Sequence, residues 1–384
     1  MARKVFKRIL VDSQTNARGN IVLNANGMGA APEVSVKRLL FLFSIDCSAN
    51  TVTLDLEQFA QSVNITSRYR DGSPMCESVN ASLLDFRSAA FRSGDTRTGL
   101  GDFAGPGVMP AGATTIRLRL AIEFTDPRRR EANDVSVPLA EIGQFNIAID
   151  PTAGVGGAGT LTGFTVTMHA HCTEEKEPVL GLRPVYSLQS LTGNVTQWDN
   201  GGRILRAIDA LATTNATNLQ TQIANGWQFF ADNELAVDCS TIPTIEEFNA
   251  EFQEPHYKPF TALYASTEEL AGNNPPVSGS GFAGVLSAAC EHGRIYDINE
   301  NVSATDLQPV GKCKLQVNNP GANINAVQLL ITAYEPQTAE TLQRRKAALG
   351  LGTASVEANV TDTQAGAQLT PAQKLAIPAV IGTR

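Results

Sequence analysis

Charge is scarce in this chain: Asp, Glu, Lys and Arg make up 18% of its 384 residues, below the roughly one quarter usual in globular proteins. With hydrophobic residues at 42%, that shortage excludes a disordered chain or a coiled coil, because both need dense charge and little to bury. Acids outnumber bases, and the net charge of -8 argues against a body that wraps nucleic acid, which needs a face rich in Lys and Arg to displace counterions. Aromatics are also few, at 6%, which weighs against an aromatic-lined sugar site. Four histidines leave little material for acid-base chemistry.

Long apolar runs are missing. The longest, Leu39-Leu40-Phe41-Leu42-Phe43, is far short of the roughly 20 residues that a membrane-spanning helix requires. The start, Met1 to Ser13, is basic but has no apolar core or small-residue cleavage site, so secretion is not expected and assembly in a cytoplasm is. The six cysteines (Cys47, Cys76, Cys172, Cys239, Cys290, Cys313) contain no C-x-x-C pair, a spacing that fits buried thiols rather than a zinc site or disulfide scaffold.

What is abundant is alternation. In Ile116 to Phe124 the residues Ile116, Leu118, Leu120, Ile122 and Phe124 share one face, while Arg117, Arg119 and Glu123 share the other, the period of a half-buried strand. Shorter versions lie at 52–56, 63–65, 145–149 and 164–168, separated by Gly, Pro, Asn and Asp clusters such as Asp71-Gly72-Ser73-Pro74 and Asp150-Pro151-Thr152-Ala153-Gly154. Strands without regularly interleaved helices predict an antiparallel sandwich. Phe164 to His171 leads into Glu174–Pro178, and Val327 to Tyr334 leads into Glu335-Pro336, so two comparable units are expected to end on a final strand, with a boundary near 173–183.

Helices are expected in a few places. Ile204, Leu205, Ile208 and Leu211 fit one helical stripe, with a continuation through Leu219, Ile223 and Trp227. Capping boxes stand at Thr244–Glu247 and Ser266–Glu269. Thr338 to Leu349, closed by Gly350, predicts a terminal helix, followed by a small-residue tail that carries Leu375, Ile377, Val380 and Ile381.

Motifs with chemistry are few. Gly154-Val155-Gly156-Gly157-Ala158-Gly159 matches G-x-G-x-x-G but leads into a strand pattern instead of a helix, so a hairpin loop is the reading and nucleotide binding is not. His169 and His171 share a strand face and are the only metal candidates; Glu174 or Glu175 would have to fold back as a third ligand. His256 and His292 stand apart from any nucleophile motif. The carboxylate pairs Asp55/Glu57 and Glu246/Glu247 read as solvated. Six Asn-x-Ser/Thr sequons, beginning at Asn64 and Asn80, read as products of composition.

Three stretches carry a resemblance. Leu39 to Ile45 with Gln58 to Val63 and Tyr69 to Pro74, Phe164 to His171 with Pro178-Val179-Leu180-Gly181, and Val327 to Pro336 with the Thr338–Leu349 helix resemble the double jelly-roll major capsid proteins of the tectivirus and adenovirus lineage. The fold expected is therefore all-β: two tandem eight-stranded antiparallel jelly rolls with a few inserted and terminal helices. The domains expected are an N-terminal arm at 1–30, a first roll at 31–178, a second at 179–336 with a helical insertion at about 202–227, and a C-terminal helix and arm at 337–384. The resemblance implies a homotrimer whose six sandwiches approximate a hexagon in an icosahedral shell, made in a host cytoplasm and residing in the virion. It implies partners in neighbouring capsomers and minor capsid or vertex proteins, and an internal membrane or particle interior facing Arg3, Lys4, Lys7 and Arg8. It supplies no catalytic residue and no cofactor. The alternatives are a virion spike or carbohydrate-binding module, and a metal-dependent sandwich enzyme using His169 and His171.

Overall fold

Alternating buried and exposed positions build the first half of the chain into strands. The computed structural model describes residues 6–16, 19–25, 33–48, 52–54, 56–90, 115–124, 133–174, 179–213, 219–223, 225–240, 292–298 and 302–351. The first half holds β1 (Phe6–Asn16), β2 (Asn20–Asn24), β3 (Val34–Cys47), β4 (Val52–Leu54), α1 (Leu56–Ser62), β5 (Asn64–Tyr69), β6 (Pro74–Asn80), α2 (Ala81–Ala90), β7 (Thr115–Glu123), β8 (Val137–Pro138), β9 (Ile142–Ala148), β10 (Val155–Gly157) and β11 (Leu161–Glu174). In β3, Leu39, Phe41, Phe43 and Ile45 are buried while Leu40, Leu42 and Ser44 alternate with them on the outer side, as a sheet with one core face requires.

Eight of these strands form two facing sheets, ordered β1-β11-β3-β7 and β2-β9-β5-β6. Numbered by position along the chain, with the short β4, β8 and β10 set aside, the orders are 1-8-3-6 and 2-7-4-5. That is the wrapping of a jelly roll, in which a long hairpin is rolled so that first and last strands become neighbours. Phe41 and Phe145, 5.3 Å apart between ring centroids, meet across the core from the two sheets.

The second half repeats the plan. It contains β12 (Arg183–Ser190), β13 (Val195–Ala212), α3 (Leu219–Ile223), β14 (Trp227–Ala231), β15 (Glu234–Asp238), β16 (His292–Asp297), β17 (Val310–Val317) and β18 (Val327–Glu335). β13 occupies two positions: residues 195–199 pair with β17, and residues 204–212 pair with β18 and β16. Between them Gly201 and Gly202 both adopt positive φ, at 66° and 65°, a conformation that side-chain-bearing residues seldom take, and the strand passes from one sheet to the other. Counting its halves as positions two and three, the sheets are again 1-8-3-6 (β12-β18-β13-β16) and 2-7-4-5 (β13-β17-β14-β15). The chain is a double jelly roll, and its two halves share one topology.

Two expectations are corrected. The helical insertion at about 202–227 is largely strand, since Ile204, Leu205, Ile208 and Leu211 lie on β13 and, among the described residues, only Leu219–Ile223 is helical. The cause is burial on both faces: Ile204 and Leu211 pack into the first roll's core, while Leu205, Ile208, Ala210 and Ala212 pack into the second's. A strand apolar on both sides loses its period of two and imitates a helix. The segment 1–30, expected as an arm, contains β1 and β2, the first two strands of the first roll. The capping boxes, His256, Cys290, the pair Glu246/Glu247 and the tail beyond 351 lie outside the described residues.

The C-terminal unit from Thr338 carries α4 (Ala339–Ala348). The Thr338 hydroxyl accepts from the Thr341 amide at 3.1 Å, Arg345 and Lys346 stand in the last turn, and Gly350 follows at φ 70°, so both ends are capped as the sequence predicts.

Candidate assembly surfaces

Two surfaces bear on what the chain can build: the junction that fixes its two rolls to each other, and the outward face of the first roll.

The junction begins with backbone. β6 of the first roll and β12 of the second run parallel, pairing Tyr186 with Cys76 and Ser187 with Glu77, so one ten-stranded path runs from β2 to β15. Only two residue pairs make this link, and side chains reinforce it. Arg183 reaches Asp71 and Ser73 at 2.7 Å each, bonds Glu335 through Nε, and lays its guanidinium over the Tyr69 ring at 4.4 Å. The turn prepares the acceptor, because Asp71 Oδ1 takes the Ser73 amide and hydroxyl and leaves Oδ2 for Arg183. Burial alone would lower the Arg183 pKa, but the hydrogen bonds to Glu335 and Asp71 carry it above its ordinary value. Tyr69 donates to the Pro184 carbonyl at 2.6 Å and Tyr186 to the Glu123 carbonyl at 2.8 Å.

A second set of contacts sits under α2. Arg87 lies 3.4 Å from Asp209 and 3.7 Å from Asp297; Arg294 lies 3.2 Å from Asp209 and 3.0 Å from Asp297; Arg206 also pairs with Asp297. Arg87 belongs to the first roll and the other four to the second. Asp209 is fully buried. Such a cluster holds only while its charges compensate each other, since an isolated ion in that setting costs several kcal/mol. Along a third line, Asp134 accepts from the Ser303 hydroxyl at 2.5 Å and the Ala304 amide at 2.8 Å. Backbone, ion pairs and hydrogen bonds thus join the two rolls at separate points.

The outward face of the first roll is different. Across β1, β11, β3 and β7 the registers align Arg8, His171, Arg38 and Glu123 in one row and Leu10, His169, Leu40 and Ala121 in the next. Further rows bring Ser13, Thr167, Leu42 and Arg119, then Thr15, Thr165, Ser44 and Arg117. Cross-strand bonds of 2.8 Å link Ser13 to Thr167 and Thr15 to Thr165, and Arg38 pairs with Glu123 at 2.6 Å. Leu10 is 54% exposed. In the matching sheet of the second roll, by contrast, Leu330 and Tyr334 are fully buried in the first roll's core cluster.

His169 and His171 share this face, as expected, and the Nδ1 of His169 is buried without a hydrogen-bond partner. Both pKa values are lowered, His169 by burial and then Arg8, His171 by burial and then Arg38, Arg8 and His169. The neighbouring guanidiniums disfavour a cation here, and Glu174 ends β11 in register with Val34 without folding back. Among the described residues no three of His, Cys, Asp and Glu come together in a way that could hold a metal. Burial pushes the Cys76, Cys172 and Cys313 thiols up to about 12, which removes them as nucleophiles near neutral pH. Of the basic start, Arg8 stands exposed on β1, Lys7 pairs through its backbone with Cys172, and Arg3 and Lys4 lie outside the described residues. Trp227 is buried in the second core and Trp198 stacks on Phe229 at 6.2 Å. The partners Arg183, Arg87, Asp209 and Asp297 gave no signal in the sequence.

No family model matches this chain, and no curated protein matches it. Solved structures do. The STIV MCP is similar at a TM-score of 0.47 and 12% identity, over 89% of this chain and 99% of that one. A structure of Sulfolobus Turreted Icosahedral Virus aligns at 0.47 and 11%, over 93% and 96%. The major capsid protein P2 from bacteriophage PM2 aligns at 0.42 and 10%, over 86% and 97%.

Proposed function

We propose that this chain is the major capsid protein of an icosahedral virus, a role also printed in the names of similar structures. It assembles as a homotrimer whose six rolls approximate a hexagon and tile the shell. The carrying observation is that one chain holds two rolls of identical strand order, 1-8-3-6 and 2-7-4-5, joined through β6 and β12 and through buried ion pairs. Two rigid, near-equivalent wedges per chain turn a three-fold ring into a six-sided tile. Many modest contacts between such tiles then add up, since each later contact forms at high effective concentration. The role is structural, with no catalytic step. The chain works in the virion after synthesis in the host cytoplasm, with neighbouring capsomers and minor or vertex proteins as partners. Of Arg3, Lys4, Lys7 and Arg8, the first two are assigned to the particle interior, where an anionic lipid surface would attract them, while Lys7 and Arg8 lie on β1. The test is mass measurement of the purified chain in solution, followed by electron microscopy. A trimer that forms flat or curved arrays is expected, and a protein that stays monomeric at every concentration and ionic strength refutes the proposal.

A further inference from the structure

Within the chain, the rolls join by one rule: position five of the first roll (β6) pairs in parallel with position one of the second (β12). Two strands are left to which that rule has not been applied. Position five of the second roll, β15, pairs only with β14 among the described residues, and position one of the first roll, β1, pairs only with β11. Among the described residues each has an unpaired edge, and each carries an exposed leucine, Leu235 at 49% and Leu10 at 54%. Open apolar edges are what sheets use to add strands from other chains.

We propose that β15 of one copy pairs in parallel with β1 of the next, extending the internal junction around the ring, with a second copy of this chain as the occupant of the open edge. This deepens the trimer reading above and rests on it. Charge fits the pairing. The segment from Trp227 to Asp238 carries Asp232, Glu234 and Asp238 and no base, whereas β1 carries Lys7 and Arg8 against one acid, Asp12. The Asp12 carboxylate is engaged locally, accepting from the Ser13 and Asn24 amides at 2.7 Å each; Asp232 and Asp238 are likewise engaged, by the Lys312 amide at 2.7 Å and the Ser240 hydroxyl at 2.6 Å, which leaves Glu234 for Arg8. Exposure fits as well: β1 carries exposed Arg8 and Leu10 on the first roll's outer side, whereas Leu330 and Tyr334 on the second roll's equivalent sheet are buried against the first roll. A head-to-tail contact of this kind closes into a ring when its rotation allows.

The experiment uses the full-length protein carrying Leu10→Cys and Leu235→Cys, treated with a short bis-maleimide, beside each single variant. Cys47, Cys76, Cys172, Cys239 and Cys313 are buried, and the single variants measure any background from Cys290. Both new positions are exposed, so folding is not at risk. Covalent dimers and trimers in the double variant alone are expected. In addition, Arg8→Glu should weaken trimers about tenfold, and Glu234→Lys in the same chain should restore them. A trimer by mass that gives no such ladder overturns this interface and leaves the proposed function standing. A monomer by mass overturns both. Dimers from Leu10→Cys alone would show a two-fold, face-to-face contact and overturn the pairing.

Discussion

Neutralising Asp209 tests whether the charges under α2 fix the two rolls together. Asp209 accepts from Arg87 of the first roll at 3.4 Å and from Arg294 at 3.2 Å, and is fully buried. Asp209→Asn keeps the shape and one acceptor but removes the charge, leaving Asp297 as the only carboxylate in a described ion pair with Arg87, Arg206 or Arg294. Removing one partner of a buried pair costs about 3–5 kcal/mol, and the lower end applies to an isostere. For a unit of this size each kcal/mol moves the melting temperature by about 2–4 °C, so a fall of roughly 6–12 °C is expected. Tryptophan fluorescence is a suitable readout, because both tryptophans, Trp198 and Trp227, sit in the second roll. Asp238→Asn, at an exposed carboxylate, is the control. A fall of less than about 2 °C for Asp209→Asn, under roughly 1 kcal/mol by the same conversion, would refute the view that these charges are dry and mutually compensating.

Arg183→Lys keeps the charge but cannot hold Glu335, Asp71 and Ser73 with one planar fork; a loss of about 1.5–3 kcal/mol is expected in urea unfolding, and an unchanged midpoint would contradict the clamp. Gly181→Ala places a Cβ 2.4 Å from the Ser136 amide nitrogen and 2.5 Å from the Asp134 carbonyl oxygen; the soluble yield should collapse, and a normally folded variant would show that this backbone can yield. Stability should fall as pH drops below the ordinary histidine value of 6.5. The pKa values of His169 and His171 are lowered in the folded chain, so between those values and 6.5 the unfolded chain binds protons that the folded chain refuses. Melting curves from about pH 7.5 to 5.5 should show this slope in the wild type and a flatter one in His169→Gln/His171→Gln, and parallel curves would refute it.

The first roll was legible in the sequence because each of its main strands shows one face to a core and the other to the outside: Leu118 and Leu120 are buried while Arg117 and Arg119 are exposed. Of the second roll the last strand, Val327 to Tyr334, was legible too, but β13 reads as a helix, because the 1-8-3-6 sheet lies between two cores. Leu330 faces one and Leu329 the other, and a pattern with no polar face carries no period. The junction was illegible for a different reason. Arg183 and Glu335 are 152 positions apart, and Arg87 and Asp209 are 122 apart, so nothing local marks them as partners. Basic residues near a terminus suggested a loose arm, yet Arg8 lies on a strand whose alternate residues, Ile9 and Val11, turn toward the first core.

Shear across the double roll would concentrate where the ladder is thinnest. The ten-strand path is zipped by long registers everywhere except between β6 and β12, where two residue pairs carry it. Backbone bonding alone would make that line a tear, with the two rolls parting like a perforated sheet. Arg183 and Arg87 bridge the perforation like rivets, so a few guanidinium groups hold the two rolls together where the sheet is weakest.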